Sequence, residues 1–527
     1  MSKAPRYLML TCAFVLLTGG AVGFILWFER KPEISKWQWA DRPAVIHPDY
    51  TGTVIAPNIA PLNFLVQEQG KYYYVKIHSE QGLPIEVFSR KGKIIIPENS
   101  WRKLLSSNRG QTLYFDVFVQ MSDDRWLRFE NITNSISVDN IDGYVVYRKI
   151  YPVHNIWKKI GIYQRSLHDF RERLILKNEN FKRGCLNCHT FCNNSRDKML
   201  LSIRSSKYGS SVLLGEGELI SKVGTKMGYS SWHPSARLIV YSVNKVRQFF
   251  HSPDNEVRDV LDLDSLLAYY LLEDKVIRTA PALSQKQRLE TYPAWSPDGN
   301  YLYFCSADML WSDQNKLPPP DYDKVRYDLV RISYDLDNDR WGQLETVLSS
   351  NNTGRSVLEP RISPDGRWLL FCMCDYGCFP VYQQSSDLYL MDLETAQTTK
   401  EYKYRRLDIN SNQSESWHSW SSNSRWIVFS SKRDYGVFTR LYISYIDQAG
   451  RVYKPILLPQ KDPTSYDRCL QTYNTAEFLT QPVRHTGEKL AQVVRAPQQI
   501  AVDMPITMAT PQAPGQPAAV PWLTERE

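Results

Sequence analysis

Four stretches of this chain repeat one another, and the repetition constrains the fold more than any other feature. Trp232-His233-Pro234-Ser235, Trp295-Ser296-Pro297-Asp298-Gly299, Ile362-Ser363-Pro364-Asp365-Gly366 and Trp420-Ser421-Ser422-Asn423-Ser424 each precede an apolar run. Those runs are Leu238-Ile239-Val240-Tyr241, Tyr301-Leu302-Tyr303-Phe304, Trp368-Leu369-Leu370-Phe371 and Trp426-Ile427-Val428-Phe429. The anchor positions 232, 295, 362 and 420 are spaced by 63, 67 and 58 residues. Ser-Pro-Asp-Gly is a tight turn, because proline presets the first corner and glycine accepts the last. Each apolar run is then a buried strand, and a segment such as Asp387 to Asp392 supplies the next one. One unit alone leaves its faces bare, so the copies must stack on each other.

The Trp-Ser-Pro-Asp-Gly turn followed by an aromatic-aliphatic strand resembles the repeat of TolB-type β-propellers, over roughly residues 196 to 483. Met199-Leu200-Leu201-Ser202-Ile203 has the pattern of a degenerate first blade and Tyr473 to Val483 that of a closing segment, which gives five or six blades. The resemblance implies an exported scaffold that binds other proteins, with a protein partner at the propeller mouth. It does not by itself imply an enzyme, and no nucleophile elbow, phosphate loop or metalloprotease helix is present, so no catalytic role is expected.

Hydrophobic residues at 43% and aromatic residues at 13% place the chain in a mainly β class. Residues 1 to 6 carry Lys3 and Arg6, and residues 7 to 28 contain no charge. A run of 22 uncharged residues is long enough to span a bilayer as a helix. The expectation is a cytoplasmic head (1 to 6), an uncleaved transmembrane helix (7 to 28) in the inner membrane, and the rest of the chain in the periplasm. That location argues against nucleic acid as a partner. Residues 29 to 152 read as a β-sandwich-like domain, with Asp142-Gly143 as the turn of a hairpin between Ser135-Ile136-Ser137-Val138 and Tyr144-Val145-Val146-Tyr147. From Pro482 the composition shifts to Ala, Pro, Gln and Val, which predicts a disordered tail over residues 484 to 527.

Between the sandwich and the repeat, residues 153 to 195 form a basic segment. Ile156, Ile160, Tyr163, Leu167, Phe170 and Leu174 recur at helical spacing. From Arg148 to Lys207 there are 14 Lys and Arg against 4 Asp and Glu, in a chain of net charge +8. This basic collar would suit an acidic redox partner. Within it stands Cys185-Leu186-Asn187-Cys188-His189. That Cys-x-x-Cys-His spacing attaches a c-type haem: Cys185 and Cys188 would be the covalent tethers and His189 the proximal iron ligand. A Cys185–Cys188 disulfide, a zinc site recruiting Cys192, and coincidence remain open beside it. Candidates for the sixth iron ligand are His154, His233 and His418, with His168, Met199 and Met227 nearer in sequence. Cys374 and Cys378 are placed for a loop disulfide, and Cys372 and Cys305 share a repeat position that suits buried small hydrophobes.

The whole arrangement also resembles a group of envelope proteins of Bacteroides-type bacteria, loosely labelled cytochrome c biosynthesis proteins, that join an anchor, a Cys-x-x-Cys-His segment and a TolB-like propeller. The functional expectation is an anchored protein with one haem c in electron transfer or a redox-linked envelope complex. The alternative is a non-haem interaction scaffold with a structural Cys185–Cys188 disulfide.

Overall fold

The computed structural model describes residues 34, 36–152, 159–182, 184–250 and 258–501. The expected span over residues 7 to 28 lies outside them. Among the described residues no helix is long and apolar enough to cross a membrane.

The chain is mainly β, with a propeller-like arrangement of six four-stranded units. The first runs Cys185–Phe191, Lys198–Ser205, Gly209–Glu216 and Leu219–Val223 as an antiparallel meander. The second, third, fourth and fifth begin with the inner strands Ser230–Trp232, Arg288–Trp295, Ser356–Ile362 and Glu415–Trp420. The second and third are joined by one bridge, Ser265 to Leu289. The sixth unit is assembled from two distant pieces. Its inner strand is Thr472–Leu479, and its outer three, Tyr144–Ile150, Gly161–Ser166 and Glu172–Lys177, come from before the first unit. Neighbouring inner strands touch all the way round, from Cys185–Phe191 back to Thr472–Leu479, so the ring closes.

The four sequence anchors occupy one structural position. Trp232 pairs with Ile239, Trp295 with Leu302, Ile362 with Leu369 and Trp420 with Ile427, always at the second residue of the following strand. Two more residues stand there: Phe191, opposite Met199, and Phe478, opposite Val145. After three of the anchors a short polar side chain braces the turn. Ser296 and Ser363 reach the turn aspartates, Ser421 reaches Asn423, and Gly299 and Gly366 take the left-handed corner with φ of +76° and +78°.

The N-terminal part is a seven-stranded sheet, a three-stranded sheet and the helix Glu98–Ser107, which buries Trp101, Leu104 and Leu105. Tyr72–His78 alternates buried and half-buried residues, as a strand with one covered face must. The buried face joins Val75, Ile77, Val117 and Phe129 to Trp426, Tyr442, Leu457 and Phe478 of the propeller in one continuous core. Asp142 accepts from the Ser422 N–H at 2.8 Å and its hydroxyl at 2.6 Å, Tyr445 donates to Asp139 at 2.7 Å, and Lys93 pairs with Asp462 at 2.8 Å.

Three sequence expectations are corrected. The helix over Ile156 to Leu174 is instead two antiparallel strands, Gly161–Ser166 and Glu172–Lys177, with residues 153 to 158 outside the described part. The hairpin at Asp142-Gly143 does not form: Ile132–Ile136 lies in the N-terminal sheet and Tyr144–Ile150 in the sixth blade. The tail does not begin at residue 484. Thr486 caps the helix Gly487–Arg495, which buries Leu490, Ala491 and Val494, and Ile500 bridges to Val223; residues 502 to 527 lie outside the described part.

Candidate metal centre

In five of the six inner strands, the third residue before the anchor sits in a β-bulge with a left-handed backbone: Cys188, Tyr292, Glu359, Trp417 and Thr475, with φ between 51° and 53°. In the second blade Tyr229 holds this place. A bulge re-aims its side chain and the one after it, so these positions turn toward the ring's interior and the neighbouring blade. At the contact between the fourth and fifth blades the result is a cluster of three metal-ligating side chains. Glu359 is the bulge residue of Ser356–Ile362, Cys372 lies on the adjacent strand Trp368–Cys374, and His418 follows the bulge of Glu415–Trp420.

All three are buried. Cys372 Sγ is 3.3 Å from Glu359 Oε2 and 3.7 Å from His418 Nδ1, and His418 Nδ1 is 3.9 Å from Glu359 Oε2. Zinc bonds of about 2.0–2.3 Å, arranged tetrahedrally, set neighbouring donors about 3.3–3.8 Å apart; two edges of the triangle fall in that range and the third, at 3.9 Å, lies just beyond it. The outer contacts orient it. His418 donates from Nε2 to the Leu370 carbonyl at 3.1 Å, which leaves Nδ1 as the lone-pair nitrogen facing the other two. The Trp417 N–H donates to Glu359 Oε2 at 2.6 Å. Glu359 Oε1 is buried without a hydrogen-bond partner in the protein, an orphan that a cation would satisfy.

Burial pushes the Glu359 carboxyl up to about 7, against the pull of the Trp417 N–H, the Cys372 thiol and Arg361. Burial raises the Cys372 thiol well above its usual range, with Glu359 adding to it. The His418 imidazolium is disfavoured by burial and then by Arg361, which lowers it to about 3. A bound divalent cation reverses the first two preferences and keeps the third, since carboxylate, thiolate and neutral imidazole are the ligating forms.

The sequence marks Cys372 as a buried small hydrophobe and His418 as one of several candidates for the sixth iron ligand, and passes over Glu359. The signal for Glu359 was available: it is the acid at a repeat position otherwise held mostly by Tyr and Trp. His233 takes the first corner of its turn, where Ser296 and Ser363 stand in other blades; its Nδ1 meets Ser235 at 2.7 Å and its Nε2 meets the Gly299 carbonyl at 3.1 Å. It is turn framework and not a haem ligand. His154 lies outside the described residues. His168 bonds to the Asn58 carbonyl at 2.8 Å, and Met199 and Met227 are core.

Cys185, Cys188 and His189 lie on the inner strand of the first blade, and they do not fit a haem. Cys188 and His189 occupy the positions of Trp417 and His418. His189 is buried against the sixth blade, with the Val146 and Thr475 backbones next to its ring. Val146 is the counterpart of Leu370, which accepts from His418. Burial, followed by the charge of Arg148, lowers His189 to about 3. Arg148 also bonds to Asn187 inside the motif and to Asn474, so a guanidinium fills the space beside the imidazole. Cys185 and Cys188 are free thiols, as are Cys374 and Cys378, so neither expected disulfide is formed. Cys192 turns to the His233 carbonyl at 3.6 Å and joins no metal-ligating cluster among the described residues. Several charges of the basic collar are internal ties: Lys149 pairs with Glu172 at 2.6 Å, Lys198 with Glu216, and Arg165 reaches the Pro459 carbonyl at 2.6 Å.

No family model matches the chain, and no curated protein matches it in sequence. Solved structures are similar at low identity. A luciferin-regenerating enzyme shares 9% identity at a TM-score of 0.33, over 60% of this chain and 91% of that one. Puromycin hydrolase shares 13% at 0.33, over 59% of this chain and 45% of its own length, so this chain spans under half of that protein. Oligogalacturonate lyase from Vibrio parahaemolyticus shares 11% at 0.31, over 73% of this chain and 100% of that one. These are enzymes with propeller-like folds and not electron-transfer proteins, and at this likeness they place no reaction on the chain. The haem electron-transfer expectation is corrected on the motif itself, where His189 is buried with Arg148 beside it. The disulfide scaffold falls with the free thiols, and the expectation that the chain has no enzymatic role is withdrawn.

Proposed function

We propose that this chain is a metal-binding propeller protein of the cell envelope, of TolB-like type, in which Glu359, Cys372 and His418 hold one thiophilic divalent cation of the zinc class. The observation that carries this reading is the set of three donor separations, 3.3, 3.7 and 3.9 Å, among buried atoms from two adjoining blades. The mixture of thiolate, imidazole and carboxylate suits zinc rather than calcium or magnesium, which prefer all-oxygen sites. The three residues leave the fourth tetrahedral position open, and the ion ties the fourth blade to the fifth. The uncharged run over residues 7 to 28 supports placement at the inner membrane, and the short basic head before it, followed by a large polar chain, supports export of the ring to the periplasm.

The test is metal content by mass spectrometry of full-length protein purified in detergent, with cobalt substitution to read thiolate coordination from its visible spectrum. One ion per chain is expected, lost in Cys372→Ser and His418→Ala and retained in Cys185→Ser with Cys188→Ser. Metal that survives both site variants, or departs with the Cys185 and Cys188 pair, overturns the assignment.

A further inference from the structure

The N-terminal sheet has a second face, directed away from the propeller. Its inner side carries Val75, Ile77, Val117 and Phe129 in the shared core. On the outer side aromatic rings run in a strip across the strands. Trp39 pairs with Arg128 at the edge, and the Arg128 guanidinium lies 4.8 Å from the Trp39 ring, 5.6 Å from Trp37 and 5.4 Å from Phe118. Trp37 meets Phe118 edge-on at 5.9 Å, Phe118 meets Tyr74 at 5.4 Å, and Tyr74 stacks on Phe88 at 4.5 Å. Trp37, just before the edge strand, is 42% exposed and Trp39, on it, 58% exposed, unusual values for tryptophan.

The position of this strip along the chain indicates what covers it. The uncharged run ends at Phe28, nine residues before Trp37. Nine residues reach at most about 30 Å even when fully extended, so the strip stays within that distance of the point where the run ends. Acidic and basic residues are mixed here, with Lys76 paired across the strands with Glu86 and Asp116 and Arg128 beside Asp116, so the sheet suits a zone of mixed polarity better than an acidic protein. The headgroup region of a bilayer is such a zone, and indole and phenol rings partition into it.

We propose that the outer aromatic face of the N-terminal sheet, with Trp37 and Trp39 at its edge, rests in the headgroup layer of the membrane from which the chain emerges. The propeller is thereby held on the far side of the sheet from the lipid. This rests on the anchored reading of residues 7 to 28 and is independent of the metal site.

The experiment uses the full chain reconstituted at one copy per nanodisc of phosphatidylcholine and phosphatidylglycerol, with hydroxyl-radical footprinting read by mass spectrometry. Trp39 should be oxidised at least fivefold more slowly than in a Trp37→Glu variant, while Leu83, 88% exposed and off the strip, stays equally reactive in both. In a second measurement, acyl chains brominated near the glycerol should quench the fluorescence lost in Trp37→Phe with Trp39→Phe, and chains brominated near the tail should not. Trp39 reacting as fast as in Trp37→Glu, or escaping shallow quenching, overturns the proposal. So does protection that appears only at two copies per disc, which identifies a second chain as the cover. If the chain fails to float with vesicles, the anchor is wrong and the proposal goes with it.

Discussion

Two contacts between neighbouring blades can be laid over each other residue by residue. Where the fourth blade meets the fifth, the bulge residue is Glu359, the facing strand contributes Cys372, and the next inner strand contributes His418. Where the sixth meets the first, the same three places hold Thr475, Arg148 and His189. Both imidazoles are buried and both are held neutral. One faces a carboxyl and a thiol, the other a guanidinium. The backbone therefore supplies a place for an interblade histidine, and the other two side chains decide whether it can ligate a cation. A cationic Arg148 excludes metal where Glu359 and Cys372 invite it.

The equivalence can be sharpened by moving the chemistry. Thr475→Glu with Arg148→Cys should give the sixth-to-first contact the ligand set of the other, and the measured metal content should rise from one ion per chain to two. If the doubly substituted protein folds and still binds one, the shared backbone positions do not share side-chain geometry. His189→Ala should cost about 3 kcal/mol, the range for emptying a large buried side chain, and leave metal content unchanged. Denaturant melts and metal analysis of the same sample would read both, and a loss of metal would tie the first blade to the site.

A smaller effect separates two other equivalent residues, Glu290 and Glu415, each five places before its tryptophan anchor. Glu415 is held by Arg433 at 2.9 Å and by Ser431 at 2.8 Å, whereas both oxygens of buried Glu290 lack a hydrogen-bond partner in the protein. Burial pushes Glu290 up to about 8 from an ordinary 4.5. The folded state therefore holds a proton that the unfolded chain releases, and stability falls as pH rises through that window, by about 1.4 kcal/mol per unit at most. Glu290→Gln should flatten the pH dependence of the melting temperature between pH 5 and pH 8, on the order of this slope. An unchanged profile would show that water reaches the carboxylate.

The repeat was legible in sequence where turn chemistry marks it and invisible where it does not. Trp295 and Ile362 stand before Ser-Pro-Asp-Gly, and Phe191 is followed instead by Asn193 and Asn194, which make the corner with left-handed backbones of their own. Phe478 has no following strand at all, because its partner Val145 comes from more than three hundred residues earlier. Without those two anchors nothing in the sequence aligns Cys188 and His189 with Trp417 and His418, and only the motif's spacing is legible. The false helix has a similar cause. Gly161–Ser166 is covered on both faces as the third strand of a blade, so its pattern lacks the alternation that separates strand from helix. The metal cluster was legible only in part, since the contact between Glu359 and His418 crosses blades.

The split sixth blade makes the order of events part of the design. Tyr144–Ile150 emerges with one edge bare, and its partner strand follows only after residue 471; Arg148 and Asn474 are 326 positions apart. Closing a loop of that size costs about 5 kcal/mol in chain entropy before any contact repays it. At about 5–20 residues per second, synthesis leaves that edge waiting for roughly 15–60 s. For that interval the ring is an open, threadable chain, and whatever escorts it must shield one strand edge until Thr472–Leu479 arrives to seal it.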